Sequence, residues 1–250
     1  MPVASLRAAA GALSFLTRVP IGRLVVLDGV DVARGTPVFP LVGAGVGVLS
    51  GGVAVLLHPW LPSFTVAGIA VATAVLVTGA MHVDGLADTC DAAGAGTRER
   101  ALEIMRDSRI GAFGASAIAL DLVIKVGAVT ALLDRGEVLP SLVVAGALSR
   151  AVSPPLAALL PYPREEGGPG SVLTGRVSGL AAGAAVAVGV GVAVLVAGRD
   201  GVLLVAAAAV TVLCLGLVYR RWLGGATGDG LGAATELTET AVLVIAAGLA

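Results

Sequence analysis

The stretch LAAGAAVAVGVGVAVLVAG, residues 180–198, is followed after Arg199 and Asp200 by GVLLVAAAAVTVLCLGLVY, residues 201–219. Neither stretch contains a charged side chain. An α-helix of about 20 apolar residues is long enough to cross the hydrocarbon core of a bilayer. The two stretches therefore predict a pair of membrane-spanning helices joined by a short charged loop.

Further segments of the same kind occupy most of the chain. Hydrophobic residues make up 57% of it and charged residues 13%, which lies outside the usual composition of soluble globular domains. Its mean hydropathy is +0.98. The predicted fold class is all-α, a polytopic integral membrane helix bundle of about seven spans that forms a single domain, 1–250. The predicted spans are residues 37–57, 64–82, 113–133, 139–160, 180–198, 201–219 and 231–250.

Local signals refine this reading at three places. Four residues recur at helical spacing, which predicts an N-terminal amphipathic helix that lies in the membrane interface. They are Leu6, Ala9, Leu13 and Leu16. The adjacent prolines of Pro154–Pro155 predict a kink or break in the fourth span. Small residues spaced four apart let helices approach closely, so the first span is expected to pack tightly. The glycines with this spacing are Gly43, Gly47 and Gly51.

The distribution of arginines predicts the orientation of the chain, because cytoplasmic loops retain positive charge during insertion. Twelve arginines fall on one side of the predicted topology, and Arg135 and Arg199 fall on the other. The chain is therefore expected to lie in the cytoplasmic (inner) membrane, with its N-terminus and its polar motifs facing the cytosol. The twelve are Arg7, Arg18, Arg23, Arg34, Arg98, Arg100, Arg106, Arg109, Arg164, Arg176, Arg220 and Arg221.

Charge and cysteine content exclude other classes of protein. The net charge of −1 provides no basic field for nucleic acid, so no nucleic-acid partner is expected. Cys90 and Cys214 lie far apart and form no CxxC pair, so neither a disulfide framework nor a zinc ribbon is indicated.

The run HVDGLADTCD, residues 82–91, places three carboxylates where an apolar segment ends. Asp84, Asp88 and Asp91 are spaced i, i+4 and i+7, so a helix continuing from the second span would present all three on one face. Like charges so close together are unfavourable unless a cation compensates them, and Mg²⁺ prefers carboxylate oxygens. A magnesium site is the first hypothesis, and helix capping by solvated acids is the alternative.

A second acidic set follows the glycine-rich connection GGATGDG, residues 224–230. If the last span is helical throughout, Asp229 and Glu236 share a face and Glu239 lies near it. No lysine follows the glycines, so the pattern is not a Walker loop. These acids are expected to complete a second metal site or to orient a substrate.

Cationic side chains near and within the spans are candidates for phosphate binding. Arg106 and Arg109 lie one turn apart in LEIMRDSRIG, where guanidinium groups suit phosphate oxygens and ordinary loop charge is the alternative. Lys125 and Arg150 lie inside predicted spans, where a charge needs a partner or a wet cavity. Asp121 is one turn before Lys125 and is expected to pair with it, whereas Arg150 has no such neighbour.

Taken together, these stretches resemble the cobalamin synthase family, the adenosylcobinamide-GDP ribazoletransferases. Two departures from the family pattern are Ala92, where glycine is expected, and Asp121, where an apolar residue is expected. The stretches that carry the resemblance are LSFLTRVP (13–20), FPLVGAGVG (39–47), HVDGLADTCD (82–91), LEIMRDSRIG (102–111), Lys125, Ser149 with Arg150, REEG (164–167) and GGATGDGLGAATELTE (224–239).

The resemblance implies a magnesium-dependent phosphotransferase of late cobalamin biosynthesis, which joins adenosylcobinamide-GDP to α-ribazole or its 5′-phosphate and releases GMP. It implies the lipid bilayer as a partner, and a second copy of the chain or other cobalamin-pathway enzymes as candidate partners. The implied catalytic residues are Asp84, Asp88 and Asp91. The implied substrate-binding residues are Arg18, Arg106, Asp107, Arg109, Lys125, Arg150, Arg164 and Asp229. The implied magnesium ligands are Asp84, Asp88, Asp91, Asp229, Glu236 and Glu239.

Two other functions are alternatives. A CDP-alcohol phosphotransferase has an acidic motif that begins like Asp84–Ala87, but arginine should follow the alanine, and Asp88 does. An ion-coupled transporter would place charges such as Asp121, Lys125 and Glu236 along a pathway through the membrane. A transporter should scatter its charges through the membrane depth, whereas most acids here cluster at one face.

Overall fold

The computed structural model describes residues 2–21, 25–164 and 169–250, and these contain helices and no strands. Arg23 and residues 165–168, which include part of the REEG stretch, lie outside the described residues. Short 3-10 helices occur at Thr36–Val38 and Pro169–Val172. The α-helices are α1 (Pro2–Leu16), α2 (Gly29–Gly35), α3 (Phe39–Leu57), α4 (Ser63–Thr78), α5 (Met81–Ala92), α6 (Arg98–Ile104), α7 (Ala112–Asp134), α8 (Val138–Ala151), α9 (Ser153–Leu159), α10 (Gly179–Trp222) and α11 (Gly228–Leu249).

Five helices among the described residues are long and apolar enough to cross a membrane, or six if α4 and α5 together form one broken span. The fold class, a polytopic helical membrane bundle, is confirmed, and the exact count of seven spans stays a prediction. The five are Gly29–Leu57, Ala112–Asp134, Val138–Leu159, Gly179–Trp222 and Gly228–Leu249.

The longest of these, α10, consists of two helical runs. Its 44 residues would extend about 66 Å if straight, roughly twice the thickness of a hydrocarbon core. Gly198 interrupts it with φ 57° and ψ −124°, a conformation that glycine adopts readily. Gly201 packs directly against the backbone of Ala193, which an unbroken helix would hold two turns away. The chain therefore reverses at Gly198, between the two runs expected as separate spans.

The acidic motif does not continue the helix of the second span. Gly79 (φ 66°) and Ala80 (φ 61°) are both left-handed, and α5 leaves α4 at 90°. The expectation of one continuous helix from residue 64 through the acids is wrong, because these two residues cannot propagate a right-handed helix. The bend turns α5 across the end of the bundle instead of along it.

Two other local expectations are confirmed. The fourth span breaks between α8 and α9 at Val152, directly before Ser153 and Pro154. The N-terminal apolar run is helical and is held to α2 by an ion pair between Arg7 and Asp31 at 2.6 Å. Its position in the membrane interface stays a prediction.

The connections between helices collect at two ends of the bundle. At one end, Arg135 donates a hydrogen bond to the carbonyl of Ala247 at 2.7 Å and lies near Asp200. The other end is formed by α5, α6 and the segments before α10 and α11, and it carries the acidic and arginine motifs. We call it the motif end. The predicted topology puts the same motifs together on one side of the membrane. Which end of the bundle faces the cytosol stays a prediction.

Close packing of α3 on α8 depends on the glycine stripe that the sequence predicts. Side chains at Gly43 and Gly47 would collide with the backbone carbonyls of Gly146 and Leu142 on α8. Gly51 faces Leu139 in the same interface. Because Gly43 and Gly47 have no side chains, the backbones of α3 and α8 can touch, as they do at small-residue interfaces in membranes.

We expect Gly47→Val to lower the unfolding free energy by about 2 kcal/mol or more, because the new side chain must push α3 away from α8. Gly52→Val is the matched control on the same helix, since a Cβ there meets no atom within 4 Å. Thermal unfolding of the purified protein in detergent measures both. Equal losses of stability would contradict a packing role for the stripe.

Candidate active site

The motif end is organised by the crossing of α5 and α11. A Cβ on Gly85 of α5 would lie 2.7 Å from the carbonyl oxygen of Asp229 and 3.2 Å from the Cα of Gly232. Gly85 and Gly232 therefore allow the two helices to meet backbone to backbone. The crossing brings Asp84 and Asp88 next to the first turn of α11, where Asp229 lies.

Asp84, Asp88 and Asp229 form an acidic cluster at this crossing. Asp84 is exposed and Asp88 is half-buried. A negative charge on Asp88 is repelled by Asp84, Asp229 and Asp91 and attracted by Arg164. The Arg164 guanidinium donates a hydrogen bond to Asp229 Oδ2 at 3.0 Å. The cluster thus concentrates negative charge that one neighbouring arginine offsets only in part.

The donor set of this cluster fits Mg²⁺. Magnesium prefers carboxylate oxygens and commonly uses one or two of them together with water and substrate phosphate oxygens. Among the residues that the structure describes, no three His, Cys, Asp or Glu side chains form a preformed metal centre. The acids at the crossing would therefore supply part of a coordination shell, and a phosphate-bearing substrate would complete it.

Asp91, the third acid of HVDGLADTCD, has a different environment. Its Oδ2 accepts a hydrogen bond from the Gly111 amide and its Oδ1 accepts one from the Gly114 amide, both at 2.7 Å. These amides open the first turn of α7, where backbone N–H groups lack helical partners. Asp91 therefore caps α7 and joins it to α5, which is the structural alternative that the sequence left open.

The predicted arginine motif lies on the surface of the motif end. Arg109 donates three side-chain hydrogen bonds to Asp107, at 2.6, 3.0 and 3.2 Å. These bonds lower the pKa of Asp107 from its ordinary value to about 2. Arg106 is exposed in the same loop. Arg18 packs across Gly79 at the bend before α5.

The remaining predicted site residues form a buried ionic network inside the bundle. Lys125 of α7 is ion-paired with Glu236 and lies 3.4 Å from Asp121, the pairing expected from the sequence. Arg150 of α8, which had no partner nearby in sequence, is ion-paired with Glu239 of α11.

Further contacts link the same side chains. Lys125 also lies 3.5 Å from Glu239, and Ser149 donates a hydrogen bond to the same carboxylate at 3.3 Å. Thr240 donates a hydrogen bond to Asp121. The structure therefore brings together three of the six predicted metal ligands, Asp84, Asp88 and Asp229. It places Asp91, Glu236 and Glu239 in other contacts.

A cavity of about 220 Å³ opens beside the acidic cluster. Asp84 and Asp229 line it together with His82. Most of its other lining side chains are apolar, and they come from α1, α3, α5, α11 and the segment after Pro169–Val172. Acidic oxygens and an apolar surface thus meet at one place.

Buried polar atoms without a partner are concentrated at the motif end. Buried polar groups in proteins are nearly always hydrogen-bonded, so such atoms indicate where a ligand or water completes the structure. Arg164 is among the substrate-binding residues that the resemblance implies. Sequence reasoning gave the tyrosines and Thr174 no role, because an isolated threonine or tyrosine belongs to no motif. Those without a hydrogen-bond partner among the described residues are Asp121 Oδ2 inside the bundle and, at the motif end, His82 Nδ1, Thr89 Oγ1, Tyr162 OH, Arg164 Nε, Thr174 Oγ1 and Tyr219 OH.

The chain is similar to known proteins over nearly its whole length. The chain matches the family model of CobS, described as cobalamin-5-phosphate synthase, over residues 8–247. It is similar to adenosylcobinamide-GDP ribazoletransferases of Escherichia coli, Shigella dysenteriae and Shigella flexneri. Each is 40% identical over 237 residues, which covers 93% of this chain and 96% of the relative. No solved structure matches.

We expect Glu239→Ala to lower the unfolding free energy by about 3–5 kcal/mol, because it leaves Arg150 buried without its counter-ion. Glu103→Ala is the matched control, since the ion pair of Glu103 with Arg100 is exposed and should contribute less than about 1 kcal/mol. Reversible denaturation in mixed micelles measures both. Equal effects would show that the buried network does not stabilise the bundle.

Proposed function

The chain belongs to the CobS family of cobalamin-5-phosphate synthases, and we propose that it carries out the transfer for which its relatives are named. The proposed reaction moves the adenosylcobinamide-phosphate group of adenosylcobinamide-GDP to α-ribazole, or to α-ribazole 5′-phosphate, and releases GMP. It is a phosphotransferase reaction and completes the last stage of cobalamin synthesis. The observation that carries the proposal is the convergence of Asp84, Asp88 and Asp229 beside a cavity in a chain 40% identical to ribazoletransferases along its length.

The reaction balances as a substitution at phosphorus. A ribose hydroxyl oxygen forms a bond to the phosphorus that carries adenosylcobinamide, and the bond from that phosphorus to the bridging oxygen of the diphosphate breaks. GMP leaves with the bridging oxygen, and the hydroxyl proton passes to a base. Such a step requires neutralised phosphate charge and in-line positioning more than covalent help from the protein.

Residues of the motif end can meet these requirements. Asp84 and Asp229 line the cavity and would hold Mg²⁺, with Asp88 beside them as a third ligand or as the acceptor of the hydroxyl proton. When bound, Mg²⁺ neutralises charge on the diphosphate. Arg164, which donates a hydrogen bond to Asp229, would contact the same phosphate oxygens.

The other arginines of the motif end extend this proposal. Arg106 and Arg109 lie on the surface loop before α7, where they would receive the charged part of the incoming substrate. Arg18 would do so from the bend before α5. Lys125 and Arg150 bind phosphate only if the substrate displaces Glu236 and Glu239, so we assign them to the network instead.

The environment of the reaction is also part of the proposal. The positive residues of the motif end favour a cytosolic active site in the cytoplasmic (inner) membrane. The acceptor and adenosylcobinamide-GDP would enter from that side, while the bilayer surrounds the spans. Other enzymes of cobalamin synthesis and a second copy of the chain remain candidate partners.

Ion-coupled transport is less well supported. Its best evidence is the charge inside the bundle, yet Lys125 and Arg150 are ion-paired there with glutamates of α11. The acids at the crossing of α5 and α11 lie at the end of the bundle, next to arginines suited to phosphate.

We expect purified protein to release GMP from adenosylcobinamide-GDP only when α-ribazole and Mg²⁺ are both present. Asp84→Asn and Asp229→Asn should each lower kcat at least about 100-fold at low Mg²⁺, and higher Mg²⁺ should recover part of the loss. Chromatographic measurement of GMP across a magnesium titration tests this.

Glu103→Gln is the control, because Glu103 is exposed and its partner is Arg100. Its magnesium requirement should equal that of the unaltered protein. Full turnover of Asp84→Asn at low Mg²⁺ would remove the cluster from the mechanism, and GMP release without α-ribazole would contradict the transfer.

We expect the motif end to face the cytosol. In intact cells a membrane-impermeant maleimide should label Asp200→Cys, while Glu103→Cys should react only after the membrane is opened. Labelling of the unaltered protein measures the background reaction of its native cysteines, Cys90 and Cys214. The reverse labelling pattern would put the acids outside and contradict the orientation.

A further inference from the structure

We infer that the cavity beside Asp84 and Asp229 holds the benzimidazole base of the nucleoside acceptor, and that His82 recognises the one free ring nitrogen of that base. The inference rests on the proposed function. It adds where the acceptor binds and which side chain selects it.

The size and walls of the cavity suit one flat ring system. Its volume of about 220 Å³ is below the roughly 300–1,000 Å³ of sites that enclose whole drug-sized ligands. A corrin macrocycle with its side chains is therefore too large. The rings of Phe15 and Phe39 stack with centroids 5.9 Å apart and planes 17° apart, which provides an aromatic wall. The apolar lining is completed by Leu16, Met81, Leu173 and Leu231.

His82 lines this cavity and carries a hydrogen-bonding atom without a partner in the described part of the chain. It is only 4% exposed, and its Nδ1 has no partner among the described residues. A buried polar atom left unpaired costs about 1–3 kcal/mol, so the site is more stable when a ligand pairs with it. In the neutral tautomer with the proton on Nδ1, His82 can donate one hydrogen bond.

The other polar side chains of the lining are engaged elsewhere or face the reaction. Ser153 Oγ lies 2.8 Å from Thr235 Oγ1, within hydrogen-bond distance. Asp229 accepts its hydrogen bond from Arg164. Asp84 is exposed at the acidic cluster. Of the polar side chains that line the cavity, His82 is therefore the one suited to form a hydrogen bond with a base.

The reaction involves two bases, the dimethylbenzimidazole of α-ribazole and the guanine of adenosylcobinamide-GDP, and their chemistry indicates which of them fits the cavity. The dimethylbenzimidazole of α-ribazole carries one free ring nitrogen, with hydrocarbon edges and two methyl groups elsewhere. Guanine carries several donors and acceptors around its edge, which would lose their partners against phenylalanine and leucine. One unpaired nitrogen on His82 matches the first base and not the second.

This placement also explains why the cavity adjoins the acids. With the base against Phe15 and Phe39, the attached ribose lies at the side of the cavity lined by Asp84 and Asp229. A ribose hydroxyl there is next to the proposed magnesium ligands. The base thus acts as the anchor that brings the nucleophile to the phosphorus.

The test compares two substitutions of His82. His82→Leu removes the hydrogen bond, and we expect the Kd and KM for α-ribazole to rise about tenfold. The KM for adenosylcobinamide-GDP should change less than about twofold. His82→Asn places an amide nitrogen near the position of Nδ1, and its Kd for α-ribazole should stay within about threefold of the unaltered protein. Titration calorimetry gives Kd, and GMP release gives KM.

A second substitution tests the cavity without touching His82. Phe15→Trp adds volume to the aromatic wall, so it should weaken binding of α-ribazole more than binding of ribosylbenzimidazole, which lacks the two methyl groups. Phe64→Trp is the matched control, since Phe64 is 68% exposed at the start of α4, at the opposite end. If His82→Leu does not fold, Phe15→Trp and His82→Asn still carry the test.

The outcomes separate the inference from the proposed function. The inference is overturned if the variants raise the KM for adenosylcobinamide-GDP while α-ribazole binding is unchanged, because the guanine or corrinoid part would then occupy the cavity. It is also overturned if His82→Asn weakens α-ribazole as much as His82→Leu. If α-ribazole binds with the expected pattern and no GMP appears, the acceptor site stands and the proposed transfer fails.

Discussion

The rest of the structure depends on the ion pairs among α7, α8 and α11, which fix how these helices are oriented relative to one another. Lys125 and Arg150 meet Glu236 and Glu239 where the side chains are almost fully buried. An unpaired charge is strongly unfavourable there, because removing one partner leaves the other buried with no counter-ion to offset its lost hydration. The rotation of α11 is therefore fixed by its glutamates. Asp229 lies seven residues before Glu236, about 10 Å along the same helix face, so the network also sets where Asp229 meets α5.

Local sequence patterns were sufficient for the features that depend on neighbours in the chain. The apolar runs predicted the spanning helices, the paired prolines predicted the break after α8, and Asp121 predicted a partner for Lys125. The glycine spacing predicted close packing of the first span, although not which helix it packs against. Each of these signals is complete within a few helical turns, so no knowledge of the tertiary fold was needed.

The features that sequence did not predict join distant residues. Glu236 meets Lys125 across 111 positions, and Asp91 caps α7 through amides 20 and 23 positions away. A carboxylate that binds metal and one that caps a helix look the same in a sequence, because both are spaced acids beside an apolar run. The bend before α5 also has no clear signal, since Ala80 seldom adopts a left-handed conformation.

The same bend determines what kind of site the bundle can build. A continuous helix would have carried its acids away from the end of α4, with lipid or other spans on its sides. Because α5 turns by 90°, one of its faces meets α11 at Gly85 and Gly232. Acids that need water and phosphate thus lie next to apolar side chains that continue into the bundle. An acceptor with an apolar base and a charged partner with a diphosphate have opposite solvation requirements, and the boundary between these two surfaces is where both can be bound at once.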